Sequence, residues 1–258
     1  MRSELRGDPW IFSGCSHAAA RLRLFCFPCA GGGASLYCPW IKALAPDIDV
    51  YPVQLPGREN RLLERPFTRF DELIRALAQA LQPYFEGPFA FFGHSMGALV
   101  CFGLTRYLLQ QDQPVPVHLF LSAYRAPQLP NKEQLHSLSD AELIHKVLEL
   151  NGTQRSIFEN LELRQLLLPI FRADFSVCET YPYEPMEPLA IPITAFGGLQ
   201  DRRVSRAALG AWSMQTRGPF VLHMLPGNHF FWRDSPQQVW QIISQASGAQ
   251  NADICLYP

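Results

Sequence analysis

Net charge and long apolar runs are what this sequence has least of. Its 258 residues carry 22 Lys and Arg against 23 Asp and Glu, which gives a formal net charge of −1 at pH 7. Such a balance predicts neither nucleic acid nor an anionic membrane surface as a partner. The first 20 residues contain several charges and no apolar stretch typical of a secretion signal, and no uncharged apolar run reaches the ~18 residues of a membrane span. We therefore expect a cytoplasmic protein without a membrane partner.

Paired cysteine motifs are also lacking. The seven cysteines are an odd number in mostly apolar surroundings, which indicates free thiols in a reducing compartment. Cys26-x-x-Cys29 has no second pair and no histidine cluster, so it does not indicate zinc. The glycine run at 31–33 would need a further glycine at position 36 to match a dinucleotide fingerprint, but Leu36 stands there. The sequence thus predicts no metal and no cofactor.

What the sequence does have is an alternation of apolar strands and amphipathic helices. With 48% hydrophobic residues, the chain can bury the core of one large domain. The alternation predicts an α/β fold with a mostly parallel central sheet and helices on both faces. Helical patterns cover 35–44, 70–84, 98–108, 205–216 and 236–247. The predicted strands are Arg21–Phe27, Ile48–Gln54, Phe89–Phe92, Val117–Leu121, Ile191–Phe196 and Phe220–Leu225.

The alternation stops between residues 127 and 188. Ser139-x-x-Glu142 is a capping box that opens one helix, and a second helical pattern over 157–178 is broken near Pro169. We interpret this segment as a helical lid inserted over the active site. A helical excursion that packs elsewhere is the alternative. The predicted organisation is a loose lead-in at 1–20, a core of 21–126 and 189–258, and the lid at 127–188.

Gly93-x-Ser95-x-Gly97 lies where an apolar, aromatic strand meets an amphipathic helix. The spacing matches a nucleophile elbow, the tight strand-to-helix turn of the α/β-hydrolases. A serine at the apex of this turn has a strained backbone with little room two residues before and two after it, so glycine fits both positions. The Met96 N–H would point to where negative charge develops. The alternative is a glycine-flanked turn with a solvated serine.

A serine nucleophile needs a base and a carboxylate that orients the base, in the chain order Ser, Asp or Glu, His on this fold. Asp201 follows one predicted strand and His229 follows the next, so both lie at carboxyl ends of parallel strands. We predict the triad Ser95–Asp201–His229. Weaker candidates for the base and the acid are His94, His136, His145, His223, Asp174 and Asp234.

A second oxyanion donor is expected in the glycine-rich loop that follows the first strand. The backbone N–H groups of Cys29, Ala30 and Gly31 are the candidates, and we choose Ala30.

Five motifs in order resemble the type II (stand-alone) thioesterases that accompany polyketide synthases and nonribosomal peptide synthetases. The animal medium-chain acyl thioesterase of fatty acid synthesis belongs to the same family. The resemblance runs over about residues 21–245 and departs at Cys29, where the family often has an aromatic residue or His. The motifs are Phe27-Pro28-x-Ala30-Gly31-Gly32, Gln54-Leu55-Pro56-Gly57-Arg58-Glu59, Phe92-Gly93-His94-Ser95-Met96-Gly97-Ala98, Gly197-Gly198-x-x-Asp201 and Gly227-x-His229-Phe230-Phe231.

The resemblance implies an α/β-hydrolase fold with a helical lid. It implies hydrolysis of acyl groups from the phosphopantetheine arm of acyl or peptidyl carrier proteins, with Ser95, Asp201 and His229 as triad and Met96 and Ala30 as oxyanion donors. We expect a monomer. A small-molecule esterase or acyltransferase, and a carrier-binding module with vestigial catalysis, are the alternatives. Three apolar lid residues fit either an acyl channel or ordinary core packing: Leu167, Phe171 and Phe175.

Overall fold

A six-stranded sheet forms the centre of the computed structural model, which describes residues 8–12, 20–131, 134–150, 152–234 and 236–254. The strands lie in the order β2-β1-β3-β4-β5-β6, and every neighbouring pair is parallel. The predicted α/β fold with a mostly parallel sheet is therefore confirmed. The strands are β1 (Leu22–Phe27), β2 (Ile48–Pro52), β3 (Phe89–His94), β4 (His118–Ser122), β5 (Ile193–Gly198) and β6 (Phe220–Leu225).

Helices cover both faces of the sheet, as predicted. Successive residues of a strand point to opposite faces, so Phe91 joins one apolar cluster and Phe92 joins another. Both clusters are almost fully shielded from solvent. In the described chain the helices are α1 (Cys38–Leu44), α2 (Phe70–Leu81), α3 (Met96–Gln110), α4 (Asp140–Glu149), α5 (Arg155–Glu159), α6 (Leu161–Glu179), α7 (Arg206–Gly210), α8 (Phe231–Asp234) and α9 (Pro236–Ile254).

Residues 8–12 are attached to the core, which corrects the expectation of a loose lead-in for this part of 1–20. Ile11 forms an antiparallel bridge with Val53, and the Gln54 N–H donates to the Trp10 carbonyl at 2.8 Å. The Trp10 ring also lies 4.2 Å from the Arg61 guanidinium carbon. The remainder of the predicted lead-in, 1–7 and 13–19, lies outside the described residues.

Residues 127–188 form a helical insertion that contains α4, α5 and α6, and its described part contains no strand. The predicted capping box is present: the Glu142 N–H donates to Ser139 Oγ, and Glu142 Oε2 accepts from the Ser139 N–H. The predicted break near Pro169 is wrong, because α6 runs through it. The break lies at Asn160, whose side chain caps α6 by accepting the Leu163 N–H.

The helix tolerates Pro169 because this residue is on its exposed face. Proline removes one helical hydrogen bond and crowds the carbonyl of Gln165, one turn earlier. Gln165 is exposed, so water can hydrate the freed carbonyl, and the buried residues beside the proline hold the helix in place. They are Leu168, Ile170 and Phe171.

The insertion has an apolar cluster of its own, which also touches the glycine-rich loop through Ala30. Phe171 and Phe175, one turn apart on α6, contribute to this cluster. Within the described ranges, no helix is both long and apolar enough to cross a bilayer.

The cysteines of the described chain are free thiols. Burial raises the pKa of Cys29 to about 11 and holds that of Cys26 well above its ordinary range, so both stay protonated at neutral pH. Protonated thiols are poor metal ligands and poor nucleophiles, which fits a packing role for this Cys-x-x-Cys pair.

His118 at the start of β4 makes folding stability depend on pH. Burial lowers the pKa of His118 to about 4, against about 6.5 in an unfolded chain. Between these values the unfolded chain binds a proton that the folded protein does not, so stability falls as pH drops below about 6.5. From pH 7.5 to 5, His118 should remove about 2 kcal/mol of unfolding free energy.

We expect His118→Gln, which can keep the hydrogen bond to Thr194 Oγ1, to lose less stability on acidification than the wild type. Urea denaturation at pH 7.5 and 5 measures the difference. Equal losses for the two proteins would contradict the assignment.

Candidate active site

Ser95 occupies the joint between β3 and α3. Its backbone has φ 55° and ψ −119°, a conformation that side-chain-bearing residues rarely adopt and that costs roughly 1–3 kcal/mol. The Ser95 N–H donates to the carbonyl of Ser122, at the end of the neighbouring strand β4, at 2.7 Å. The predicted elbow is therefore present and is tied to the adjacent strand.

The two motif glycines are required because the elbow brings backbone segments into contact. A Cβ added at Gly93 would lie 2.1 Å from the Gly97 carbonyl oxygen. A Cβ at Gly97 would lie 2.2 Å from the carbonyl oxygen of Phe27, at the end of β1. Backbone atoms therefore occupy the space around both glycines, which explains why the motif has glycine two residues before and two residues after Ser95.

Asp201 and His229 lie past the ends of β5 and β6 and contact each other. His229 Nδ1 is 2.8 Å from Asp201 Oδ2, and the two side chains are 6% and 1% exposed, respectively. Asp201 Oδ1 accepts the N–H groups of Arg203 at 2.8 Å and Val204 at 3.3 Å. Burial opposes ionisation of Asp201, but its bond to His229 and these N–H groups hold its pKa below the ordinary value. The carboxylate therefore stays charged and orients the imidazole.

Ser95 and His229 line one cavity of about 280 Å³. Within the described chain no hydrogen bond joins the Ser95 hydroxyl to the imidazole; such bonds are often long in free enzymes and shorten when substrate binds. Because Asp201 occupies Nδ1, the other ring nitrogen, Nε2, is the one left to act on Ser95. The structure thus brings the three predicted side chains to the same edge of the sheet.

Two backbone N–H groups in the wall of this cavity can bind an oxyanion. Ala30 and Met96 both line it, and neither N–H donates a hydrogen bond to another described residue. The Gly31 N–H is already used, because it donates to Asp174 Oδ2 at 2.7 Å. Met96 begins α3, so the positive end of the helix dipole adds to its effect. This arrangement favours Ala30 over Gly31 as the second donor.

His94 is fully buried beside the nucleophile and supports the site indirectly. Its Nδ1 lies 2.9 Å from the hydroxyl oxygen of Ser122, the residue whose carbonyl accepts the Ser95 N–H. Burial, with the nearby charges of His229 and Arg233, lowers the pKa of His94 well below its ordinary value. A neutral His94 adds no positive charge against the imidazolium that His229 would form during catalysis.

Four of the other sequence candidates have partners or ring contacts of their own. Asp174 forms an ion pair with Arg58, and His223 stacks on Phe196 in the sheet. The insertion histidines pair with glutamates, His136 with Glu179 and His145 with Glu149. Asp234 lies in α8.

The insertion supplies one wall of the cavity and the core supplies the other. Phe175 and Leu135 come from the insertion, whereas Tyr124 follows β4. Leu167 and Phe171 pack in the insertion cluster instead, so of the three predicted channel residues only Phe175 is in the described lining. Sequence analysis missed Tyr124, although it follows a buried strand, as Asp201 and His229 do.

A second, more polar groove of about 810 Å³ opens on the other side of His229. It shares Leu150, Arg203 and His229 with the inner cavity, so the two spaces lie side by side. Its outer lining includes Lys146, Gln200, Arg202 and Asn228.

The insertion also touches the loop that carries the base. The Arg233 guanidinium donates to the Gly152 carbonyl at 2.8 Å and lies over the Phe230 ring at 4.0 Å. Gly152 itself packs so closely on Phe230 that an added Cβ would be 2.1 Å from the ring.

Comparison with known proteins decides the family. The family model described as a thioesterase domain matches residues 22–247. The chain belongs to the thioesterase family. This thioesterase is therefore a hydrolase, as the motifs predicted, and its resemblance to the type II class is confirmed.

Individual relatives agree over nearly the whole chain. The thioesterase is 45% identical to gramicidin S biosynthesis protein GrsT of Aneurinibacillus migulanus, over 92% of this chain and 93% of that protein. It superposes on the structure of the type II thioesterase BorB from the borrelidin biosynthetic cluster with a TM-score of 0.84 and 37% identity, covering 93% and 98% of the two chains.

A third relative, named linear gramicidin dehydrogenase LgrE, from Brevibacillus parabrevis, is 47% identical over 94% of each chain. That name describes a redox enzyme. In the present thioesterase the glycine run at 31–33 lacks the dinucleotide spacing and forms part of the candidate oxyanion loop.

The elbow contact yields a direct test. Gly97→Ala should strongly reduce Ser95 reactivity and lower the melting temperature, because the new methyl group cannot fit against the Phe27 carbonyl. Gly210→Ala is the matched control: nothing lies within 4 Å of the added Cβ, and a helical Gly→Ala change typically stabilises by about 0.5–1 kcal/mol. Fluorophosphonate labelling and thermal melts measure both variants. A fully reactive Gly97→Ala enzyme would refute this account of the elbow.

Proposed function

We propose that this thioesterase uses Ser95, Asp201 and His229 to hydrolyse acyl thioesters held on the phosphopantetheine arm of a carrier protein. The observation that carries the proposal is the His229–Asp201 contact in the wall of the cavity that also contains Ser95. An oriented base beside a serine on a strained elbow is the arrangement needed for acyl transfer.

The reaction follows from this geometry. His229 Nε2 takes the Ser95 proton while the serine oxygen attacks the thioester carbonyl, and the Ala30 and Met96 N–H groups bind the oxyanion. Each such donor typically contributes about 3 kcal/mol. The carbon–sulfur bond then breaks, and the imidazolium gives its proton to the departing thiolate. The same imidazole takes a proton from water, whose oxygen attacks the acyl-serine. The ester bond to Ser95 then breaks, the imidazolium returns the proton to Ser95 Oγ, and the acid is released.

A thioester suits this site because its leaving group needs little acid catalysis. A simple thiol such as that of cysteine has a pKa of about 8.5, so a thiolate leaves far more readily than an amine or an alkoxide.

The two adjacent spaces suit the two parts of such a substrate. The inner cavity, with Phe175 and Leu135 in its lining, would hold the acyl chain, and the outer groove would hold the arm. Arg202 and Arg203 line that groove and would meet the phosphate of the arm, whereas Lys146 is paired with Glu149 at 3.0 Å. The helical insertion at 127–188, which contributes Leu135 and Phe175 to the lining of the inner cavity, would act as the lid. The core at 21–126 and 189–258 would carry the triad.

The relatives support a role in a biosynthetic assembly line. GrsT is named for gramicidin S biosynthesis and BorB for the borrelidin cluster. We therefore propose an acyl or peptidyl carrier protein of such a pathway as partner and the clearing of misprimed or stalled chains as role. A monomeric state and a cytoplasmic location remain predictions.

Substrate class is tested with an acyl carrier protein loaded with a medium-length acyl chain and with oxygen esters of the same acyl group. We expect faster turnover of the carrier thioester and complete loss with Ser95→Ala. Faster turnover of the oxygen esters would favour the esterase alternative. Transfer to added alcohols or amines would favour an acyltransferase.

The role of Asp201 is tested by Asp201→Asn. The variant keeps the shape of the side chain but favours the wrong imidazole tautomer, which in serine proteases lowers kcat about 10⁴-fold. We expect a loss of that order with KM little changed. Asp112→Asn, an exposed change at the end of α3, is the control. A kcat for Asp201→Asn within about tenfold of the wild type would count against the triad.

A further inference from the structure

The motif Gln54–Glu59 takes no part in the triad, yet its polar side chains reach the glycine-rich loop, and two of them, Gln54 and Arg58, are buried. Gln54 is fully buried; its Oε1 accepts the Ala34 N–H at 2.7 Å, and its Nε2 donates to the Arg58 carbonyl at 2.8 Å. Glu59 Oε1 accepts the Ser35 hydroxyl. The motif therefore fixes the far end of the loop that begins at Cys29.

Arg58 extends this contact to the helical insertion. Its guanidinium meets Asp174 of α6 through two parallel bonds, Nη1 to Oδ2 at 2.7 Å and Nη2 to Oδ1 at 2.8 Å. The side chains are only 5% and 3% exposed. Arg58 Nη1 also donates to the Gly32 carbonyl at 3.2 Å. Two-point pairing of this kind fixes orientation as well as distance.

Asp174 then holds the residue next to the candidate oxyanion donor. Its Oδ2 accepts the Gly31 N–H at 2.7 Å. Gly31 has φ +71°, and the Phe171 ring, three residues before Asp174 on α6, fills the space where a Cβ would lie. One side of α6 thus fixes both the N–H direction of Gly31 and its backbone conformation.

We propose that Asp174, held by Arg58, is a positioning residue for the oxyanion hole, an inference that rests on the proposed function. The peptide unit that joins Ala30 to Gly31 carries the Gly31 N–H. Fixing that N–H on the carboxylate prevents rotation of this unit. The Ala30 N–H belongs to the preceding unit, whose Cys29 carbonyl accepts the Gly32 N–H at 2.9 Å, so the two bonds together hold the turn that carries the Ala30 N–H. The insertion would then set the geometry of the hole as well as cover it.

A buried ion pair is weak evidence for a stabilising role, since a well-packed apolar pair often stabilises as much. The bond to Gly31 gives this carboxylate a local task that an apolar residue could not perform. The proposal therefore predicts a selective effect on oxyanion binding.

The experiment compares two ligands of the inner cavity. An alkyl trifluoromethyl ketone accepts the Ser95 oxygen at its carbonyl carbon while His229 takes the proton, so its bound form carries an oxyanion. An alcohol of the same chain length fills the cavity without one. We expect Asp174→Ala to weaken the ketone about 10–100-fold and to leave the alcohol within about twofold.

The turnover of the Asp174→Ala variant should fall in parallel with its affinity for the ketone. We expect kcat to fall by a similar factor with little change in KM, after correction for active enzyme by fluorophosphonate titration. Asp174→Asn, which keeps an oxygen that can accept the Gly31 N–H, should lose less ketone affinity and less kcat than Asp174→Ala. Asp71→Asn removes the exposed pair with Arg75 and should change neither ligand ratio nor kcat.

Equal losses for ketone and alcohol would show a general disturbance of the site and overturn the proposal, as would an unchanged ketone affinity. If Asp174→Ala does not fold, Asp174→Asn and Arg58→Lys provide the same comparison. A wild-type enzyme that binds the ketone but does not cleave carrier thioesters would refute the proposed function alone, because the ligand ratio still decides the role of Asp174.

Discussion

The left-handed backbone of Ser95 is the constraint from which the rest of the site follows. It is kept by contacts with two neighbouring strands, the Ser122 carbonyl on β4 and the Phe27 carbonyl that faces Gly97 from β1. Only a central strand has a neighbour on each side, and β3 lies between β1 and β4. The position of the nucleophile within the sheet is thus as much a structural requirement as the glycine spacing.

Sequence reasoning succeeded where a signal was local. The elbow glycines, the Ser139 capping box and the placement of Asp201 and His229 just past apolar runs could all be read within a few residues, because each depends on one turn or one strand end. Parallel pairing then brings distant strand ends to one edge without further information. The fold class and the proposed triad could therefore be predicted before any coordinates.

Sequence reasoning failed where a residue's role depends on contacts with residues far away in the chain. From the sequence Asp174 is only a weak candidate acid, since nothing near it in the chain reveals that Arg58, 116 residues away, pairs with it. The expected helix break at Pro169 is wrong because a proline is tolerated where water can hydrate the freed carbonyl. Whether water can reach that carbonyl depends on exposure, which is not a local property of the sequence. The anchoring of Trp10 over Arg61 likewise depends on tertiary contact.

Residues from both the core and the insertion line the inner cavity. Met96 and Ala30 come from the core, whereas Phe175 and Leu135 come from the insertion. The shape of the acyl site therefore depends on how these parts pack, through the insertion's contacts with the glycine-rich loop and with Phe230.

The contacts of α6 with Arg58 and with the glycine-rich loop have a consequence for protein engineering. A chimera that received residues 127–188 from a relative without an acidic residue at position 174 would retain Arg58 and leave its buried guanidinium without a carboxylate. Exchanges aimed at a new acyl preference should instead keep Asp174 and vary lining positions of the insertion such as Leu135, Leu150 and Phe175, or transfer the Gln54–Glu59 motif together with the helix.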